Sequence, residues 1–120
     1  MPKKFKALVT TGPTREYLDP VRYISNESSG KQGYEIAIAL NKLGIKTTLI
    51  TGPSRLASPK GVKVKKIISA DEMLVEVKKT LPVDLAICTA AVVDFKPIEK
   101  SKNKIKKDKL NFKSINFIKN

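Results

Sequence analysis

Short β-favouring runs alternate with helical segments along this 120-residue chain, and two of the runs stop at Gly-Pro pairs. That alternation predicts an open, mostly parallel α/β sheet with helices on both faces. A third observation agrees. Val83 to Val93 is almost unbroken apolar sequence, interrupted by Asp84 and Thr89, as expected of a central parallel strand buried on both faces. A length of 120 residues predicts one domain, and a 41% hydrophobic share supplies a modest core.

In chain order, Phe5 to Thr11 reads as the first strand, ended by Gly12-Pro13. Gly12 to Ser29 shows no dependable helical or strand period and reads as a long loop, a feature usually tied to function or disorder. Ser29-Gly30-Lys31-Gln32 matches a capping box, so a helix should follow to about Leu43, with Tyr34, Ala37, Ile38, Leu40 and Leu43 as its apolar face and Gly44 as its left-handed stop. Ile45 to Thr51 is a second strand, closed by Gly52-Pro53. After a Ser/Pro/Gly-containing loop, Val62, Val64 and Ile67 suit a short strand. Ser69-Ala70-Asp71-Glu72 is a second capping box, opening a helix that carries Met73, Leu74, Val77 and Leu81. Beyond Asp94 the lysines crowd together (Lys96, Lys100, Lys102, Lys104, Lys106, Lys107, Lys109), predicting a segment mobile without ligand, and Leu110 to Ile118 regains β character.

Composition removes several functions. The chain has no histidine and one cysteine, which excludes His-based triads, Cys/His dyads, His-ligated metals and an internal disulfide. Cys88, inside an apolar strand, reads as a small core residue. No apolar run approaches the roughly 20 residues that cross a bilayer, and Met1-Pro2-Lys3-Lys4-Phe5-Lys6 lacks a signal peptide's apolar stretch. A soluble, cytoplasmic protein is expected. A net charge of +13 points to an anionic partner: nucleic acid, an acidic surface or a phosphorylated small molecule.

In an open parallel sheet, ligands lie beyond the carboxyl ends of the strands, so Gly12–Gly33, Gly52–Pro59 and Ala90–Pro97 should converge on one crevice. The helix start at Ser28-Ser29-Gly30-Lys31 offers backbone amides to a phosphate, although a merely well-capped helix explains the same residues. It is neither a Walker loop nor a GxGxxG fingerprint. Asp94 is either a ligand-binding carboxylate or a turn former at a strand exit. Arg15, Glu16, Asp19 and Arg22 suit loop salt bridges, with Arg22 near enough to Asn26 in sequence to share a site.

Thr11-Gly12-Pro13-Thr14-Arg15-Glu16, Asp19-Pro20-Val21-Arg22-Tyr23-Ile24-Ser25-Asn26 and Ser28-Ser29-Gly30-Lys31-Gln32-Gly33 closely resemble the phosphopantothenoylcysteine synthetase (phosphopantothenate–cysteine ligase) family. The likeness continues through Leu49-Ile50-Thr51-Gly52-Pro53, Ala70-Asp71-Glu72-Met73, Ala90-Ala91-Val92-Val93-Asp94-Phe95 and Lys104-Ile105-Lys106-Lys107, covering nearly the whole chain. It implies a Rossmann-like core over 1–95, a lysine-rich flap over 96–109, and the start of a further strand region over 110–120, with the rest of the family domain missing. The implied enzyme belongs to coenzyme A biosynthesis. It uses CTP, with Mg²⁺, to activate 4′-phosphopantothenate as an acyl-cytidylate, and cysteine then displaces CMP.

By position, the resemblance implies nucleotide binding by Gly12, Ser28, Gly30 and Gly33, with Asp94 and Lys104 also on the nucleotide. Asn26 matches the amide that binds phosphopantothenate and steadies the acyl intermediate, Ala90, Ala91 and Asp94 match the substrate wall, and Lys104 matches the flap lysine of acyl-cytidylate formation. Arg22 matches an arginine contributed across a dimer interface. The complete enzyme is expected to be a homodimer, with no dedicated metal ligands, membrane or specific nucleic acid. An additional chain is expected to supply the missing part, or an FMN-dependent decarboxylase to act as a separate partner. The alternative is an inactive fragment serving as a noncatalytic basic module for nucleic acid or acidic partners. A dinucleotide oxidoreductase is disfavoured, because neither the glycine fingerprint nor a Tyr-x-x-x-Lys pair occurs.

Overall fold

A computed structural model describes residues 4–105 and 115–120. Strand β1 (Lys6–Thr11) is followed by β2 (Arg15–Asp19), β3 (Arg22–Ser25), helix α1 (Lys31–Lys42), β4 (Lys46–Thr51), β5 (Lys63–Lys66), helix α2 (Ala70–Thr80), β6 (Leu85–Cys88), β7 (Phe95–Pro97) and β8 (Phe117–Lys119). Four of these form a parallel sheet in the order β5-β4-β1-β6, in register Val9↔Leu49 and Val9↔Ile87.

The pleat of β1 and β4 divides the core. One face presents Ala7, Val9 and Leu49 to Ala37 and Leu40 of α1, and the other presents Leu8 and Ile50 to Ile67 and to Met73 of α2. Successive strand residues point to opposite faces, so both faces carry apolar side chains and both are covered. Leu8, Val9 and Ile50 are almost wholly buried; each such side chain contributes about 1.5–3 kcal/mol relative to exposure. The predicted sheet, with helices on both faces, is observed.

Several expectations are corrected. Gly12–Ser29 is not a featureless loop but carries the antiparallel hairpin β2–β3, with Tyr17 opposite Tyr23 and Arg15 opposite Ser25. Its two strands pair with one another rather than with the main sheet, so no single-strand period revealed them. Among the described residues β6 lies at the sheet edge, with Leu85 36% exposed and Cys88 exposed, rather than buried on both faces. Helix α2 packs mainly against β4.

The first capping box is not formed. Gly30, at φ 76, is the N-cap of α1 without a side-chain bond, and Ser29 Oγ accepts only from the Lys31 amide at 3.3 Å. The left-handed glycine shifts the helix start one residue past Ser29. Leu43, placed on the apolar face, is 76% exposed, while Gly44 ends the helix at φ 80 as expected. At α2 the cap works: Ser69 Oγ accepts from the Glu72 amide at 3.2 Å, and the Glu72 carboxylate reaches past Ser69 to accept from the Ile68 amide.

In the lysine-rich segment, the described part makes contacts with the rest of the fold. Lys96 Nζ pairs with the Asp71 carboxylate at 2.9 Å, and the Ser101 amide donates to the Leu18 carbonyl at 2.9 Å. Strand β7 pairs antiparallel with β8. The readings placed on Lys106, Lys107, Lys109 and 110–114 lie outside the described residues.

Candidate functional site at the carboxyl edge of the sheet

The order β5-β4-β1-β6 places a switch in winding direction at β1, whose chain continues through α1 to β4 on one side and whose other neighbour is β6. Ligands of open α/β sheets sit in the crevice beyond such a point. Here the three predicted segments do meet. The Gly12 carbonyl accepts from the Ala91 amide at 2.9 Å, the Gly52 amide donates to the Thr11 carbonyl at 3.0 Å, and Ser54 Oγ donates to the Ser29 carbonyl at 3.1 Å.

Glycine is required at the centre of this junction. Gly12 and Gly30 both lie at positive φ, and a Cβ on Gly30 would stand 3.3 Å from the Gly12 Cα. Gly33 has a different duty: its added Cβ would fall 2.3 Å from Thr11 Cβ and 2.6 Å from Thr89 Oγ1, so the missing side chain lets α1 press onto the end of β1. That contact is also bonded, Thr11 Oγ1 donating to the Gly30 carbonyl at 2.8 Å. Ser28 Oγ accepts from the Gly30 amide at 3.3 Å, shaping the approach to the helix.

Asn26 is exposed at the base of the hairpin, and its Nδ2 donates to the Val92 carbonyl at 3.2 Å. Ala90 and Ala91 are half-buried, and Asp94 is exposed just past them with its backbone carbonyl accepting from the Asn120 amide. Gly12, Ser28, Gly30, Asn26 and Ala91 therefore form one group around the crevice. A cavity of about 620 Å³ opens beside it, lined by Pro13, Arg15, Asn26, Ser28 and Arg55 among others. A second, of about 320 Å³, lies over the end of β4 between Thr51, Ser54, Leu56 and Ile67.

Arg22 and Lys104 do not join this group within one chain. Arg22 stands at the hairpin tip, and four residues of extended strand, about 13 Å, separate it from Asn26. The extended strand sets Arg22 and Asn26 apart, at one end of β3 and just past the other. Arg22 instead pairs with Asp19 at 3.0 Å, and Lys104 is exposed one residue before Ile105, whose amide also donates to Asp19 at 2.9 Å.

Sequence reasoning gave Gly52 only as the start of a crevice-lining segment, and Arg15 and Asp19 only as loop salt-bridge residues. A Cβ on Gly52 would lie 1.6 Å from the Pro13 carbonyl oxygen, so the two Gly-Pro stops pack directly on one another. Their repetition after β1 and β4 was the available signal. Arg15 lies with Cζ 4.3 Å from the centre of the Tyr23 ring and lines both cavities. Asp19 is fully buried and accepts from the amides of Val21, Arg22 and Ile105; the Ile105 bond is the foremost cause holding its carboxyl below the usual range, against the opposing effect of burial. An Asp before Pro at a turn carried that signal. No helix among the described residues is long and apolar enough to cross a membrane.

Comparison with known proteins supplies the family. Residues 3–120 match the family described as the DNA/pantothenate metabolism flavoprotein C-terminal domain. The chain is 44% identical over 119 residues to the coenzyme A biosynthesis bifunctional protein CoaBC of Borreliella burgdorferi, covering 98% of this chain and 30% of that protein. Its fold matches the crystal structure of the C-terminal domain of a CoaBC with a TM-score of 0.76 and 39% identity, over 85% of this chain and 55% of that one. The fold also matches that of a Cab2 mutant in complex with phosphopantothenate-cysteine, with a TM-score of 0.69 and 17% identity, over 87% of this chain and 51% of the other. The chain thus spans under a third of the length of the bifunctional relative. The chain belongs to the DNA/pantothenate metabolism flavoprotein C-terminal domain family, homologous to the phosphopantothenoylcysteine synthetase domain of CoaBC.

Proposed function

We propose that this chain carries the nucleotide-binding part of a cytoplasmic phosphopantothenate–cysteine ligase of coenzyme A biosynthesis, using CTP. The observation that carries the reading is the Asn26 amide, anchored on the Val92 carbonyl and set beside the Gly12–Gly30–Ala91 crevice at the switch point of the sheet. A neutral amide there can orient an acyl carbonyl without attacking it.

In this reading a carboxylate oxygen of 4′-phosphopantothenate attacks the α-phosphorus of CTP and pyrophosphate leaves. The amine of cysteine then attacks the acyl carbon, the acyl–oxygen bond to phosphorus-bound oxygen breaks, and CMP leaves as the amine gives up a proton. Gly12, Ser28 and Gly30 shape a side-chain-poor backbone junction that a nucleotide can approach closely, and Gly33 serves by seating α1 against β1. Asp94, Ala90 and Ala91 wall the substrate side, and Lys104 supplies countercharge as the acyl-cytidylate forms. Arg22, at the hairpin tip, reaches the site of a second copy in a homodimer, in keeping with its distance from Asn26 in its own chain. Among the described residues no three acidic, histidine or cysteine side chains are grouped to hold a metal; Mg²⁺ enters as the counter-ion of the triphosphate, whose oxygens commonly hold it with water. The unit boundaries of this reading are 1–95 for the core, 96–109 for the flap and 110–120 for the strand region beyond it.

Titration calorimetry of the folded 120-residue chain with CTP and Mg²⁺, in parallel with ATP and at two salt concentrations, tests it. Saturable binding that favours CTP and weakens in Lys104→Ala is expected. Failure of the folded chain to bind removes the nucleotide assignment for this chain, and base-indifferent binding that collapses with salt supports the basic-module alternative. Asn26→Ala is expected to keep stability within about 0.5 kcal/mol because Asn26 is exposed, and to abolish amide formation in an enzyme completed by the remainder of the domain. Normal turnover by that variant sinks the role given to Asn26.

A further inference from the structure

Asp19 joins two pieces of chain that the proposed chemistry needs and that are otherwise remote. Its side chain is fully buried while that of Arg22 is 43% exposed. Oδ1 accepts from the Val21 and Arg22 amides at 3.0 and 2.8 Å, closing the hairpin tip, while Oδ2 accepts from Arg22 Nη1 at 3.0 Å and from the Ile105 amide at 2.9 Å. Arg22 Nη1 also donates to the Ile105 carbonyl at 3.1 Å. One carboxylate thus holds the hairpin arginine by its backbone and its guanidinium, and holds the chain 86 residues further on by its amide.

A turn needs only the Oδ1 bonds. An Asp at the first position of a turn bonds amides two and three residues on, and a surface hairpin is complete without a long-range partner. The Oδ2 oxygen makes the other connection, to the backbone adjoining Lys104. A buried carboxylate is costly unless each lone pair is engaged, and here a cation and three amides engage it.

We propose that Asp19 is a positioning residue: it sets the Arg22 guanidinium and the backbone at Ile105 in one fixed relation, and through Ile105 it places Lys104. This rests on the nucleotide-binding reading for the duty of Lys104, but the clasp itself is a matter of geometry. Asp19 touches neither nucleotide nor acyl group. It acts through its two partners, so losing it should mimic losing them.

The test uses the 120-residue chain and two variants. Asp19→Asn keeps the shape but replaces one acceptor by a donor and removes the charge opposite Arg22. Ile105→Pro leaves Asp19 and the hairpin sequence intact and removes the long-range amide donor, while also restricting the backbone of Lys104 before it, so Ile105→Ala, which keeps the amide, is its control for the side chain. Amide hydrogen exchange followed by NMR is the first readout. In Asp19→Asn, exchange at Ile105 and Arg22 should accelerate by about tenfold or more beyond whatever change the core amides of Leu8 and Ile50 show, since those follow global stability. Equal acceleration everywhere means a general structural role and overturns the proposal, as does unchanged exchange at Ile105.

CTP affinity is the second readout, since a structural residue would not couple to one lysine. Ile105→Pro and Asp19→Asn should each weaken CTP several-fold, and neither should weaken it further in a Lys104→Ala background. Additive losses overturn the positioning role. If Asp19→Asn does not fold, Ile105→Pro decides the same question. If the wild-type chain binds no CTP, the nucleotide reading fails, and the duty assigned to Lys104 falls with it; the exchange at Ile105 still shows whether the clasp exists.

Discussion

Replacing Gly33 by alanine separates two physical accounts of the same glycine. Gly33 sits inside α1, where alanine is the better helix former by about 1 kcal/mol, so local propensity predicts a gain. Tertiary geometry predicts the reverse. The new methyl would lie 2.3 Å from Thr11 Cβ, 2.4 Å from Thr11 Oγ1 and 2.6 Å from Thr89 Oγ1, all far inside van der Waals contact. Thr11 is buried and its hydroxyl is committed to the Gly30 carbonyl, while Thr89 Oγ1 is committed to the Thr10 carbonyl at 2.7 Å. Overpacking of a filled core costs about 1–3 kcal/mol, and each disturbed hydrogen bond about 1 kcal/mol. Set against the propensity gain, the net loss is about 1–4 kcal/mol. Urea unfolding followed by circular dichroism reads it directly: the midpoint should fall by about 1 M or more at unchanged slope. A midpoint equal to or above that of the wild type would refute the claim that the close approach of α1 to β1 is what requires glycine.

Two further outcomes follow from burial and charge. Leu8→Ala, at a side chain 1% exposed between Ile50 and Met73, should cost about 2–5 kcal/mol, whereas Leu74→Ala, at 53% exposure, should cost far less; equal midpoints would contradict the assigned core. Asp19 has its carboxyl pKa lowered on folding, first by the Ile105 amide, so its contribution is present above the ordinary carboxylate range and is lost as pH falls through the folded value. Lys96 is raised by its bond to Asp71, so that tie is intact below the ordinary lysine range and is lost as pH rises through the folded value. In urea midpoints measured against pH, the advantage of the wild type over Asp19→Asn should be level near neutrality and shrink below about pH 4; an advantage that persists in acid would contradict the ionised clasp.

What was legible in the sequence was what neighbours along the chain decide. Ser69 caps α2 through Glu72, three residues on, and Gly44 ends α1 at positive φ; both contacts are local, and both were readable. The Gly-Pro stops after β1 and β4 marked the strand ends correctly, and with them the three loops that meet at the crevice. The hairpin β2–β3 was missed because its strands pair with each other and not with the main sheet, and because the residues β2 buries, Glu16 and Asp19, are charged rather than apolar. The first cap was misread by one position because a left-handed Gly30 competes with Ser29 for the start of α1.

The alternation of apolar runs and capped helices determined that this chain builds a parallel sheet covered on both faces, since side-chain periodicity and backbone caps act within a few residues. The motifs likewise determined its family. Tertiary structure alone decided the order β5-β4-β1-β6, and with it the exposure of Cys88: apolar content makes a strand able to lie inside, but the neighbours it pairs with decide whether it does. It also decided which residues meet. Asn26 and Arg22, four apart, are separated by an extended strand, while Asp19 and Ile105, 86 apart, share a hydrogen bond. Proximity along a chain is set by backbone extension, and proximity in space by what the core leaves room for.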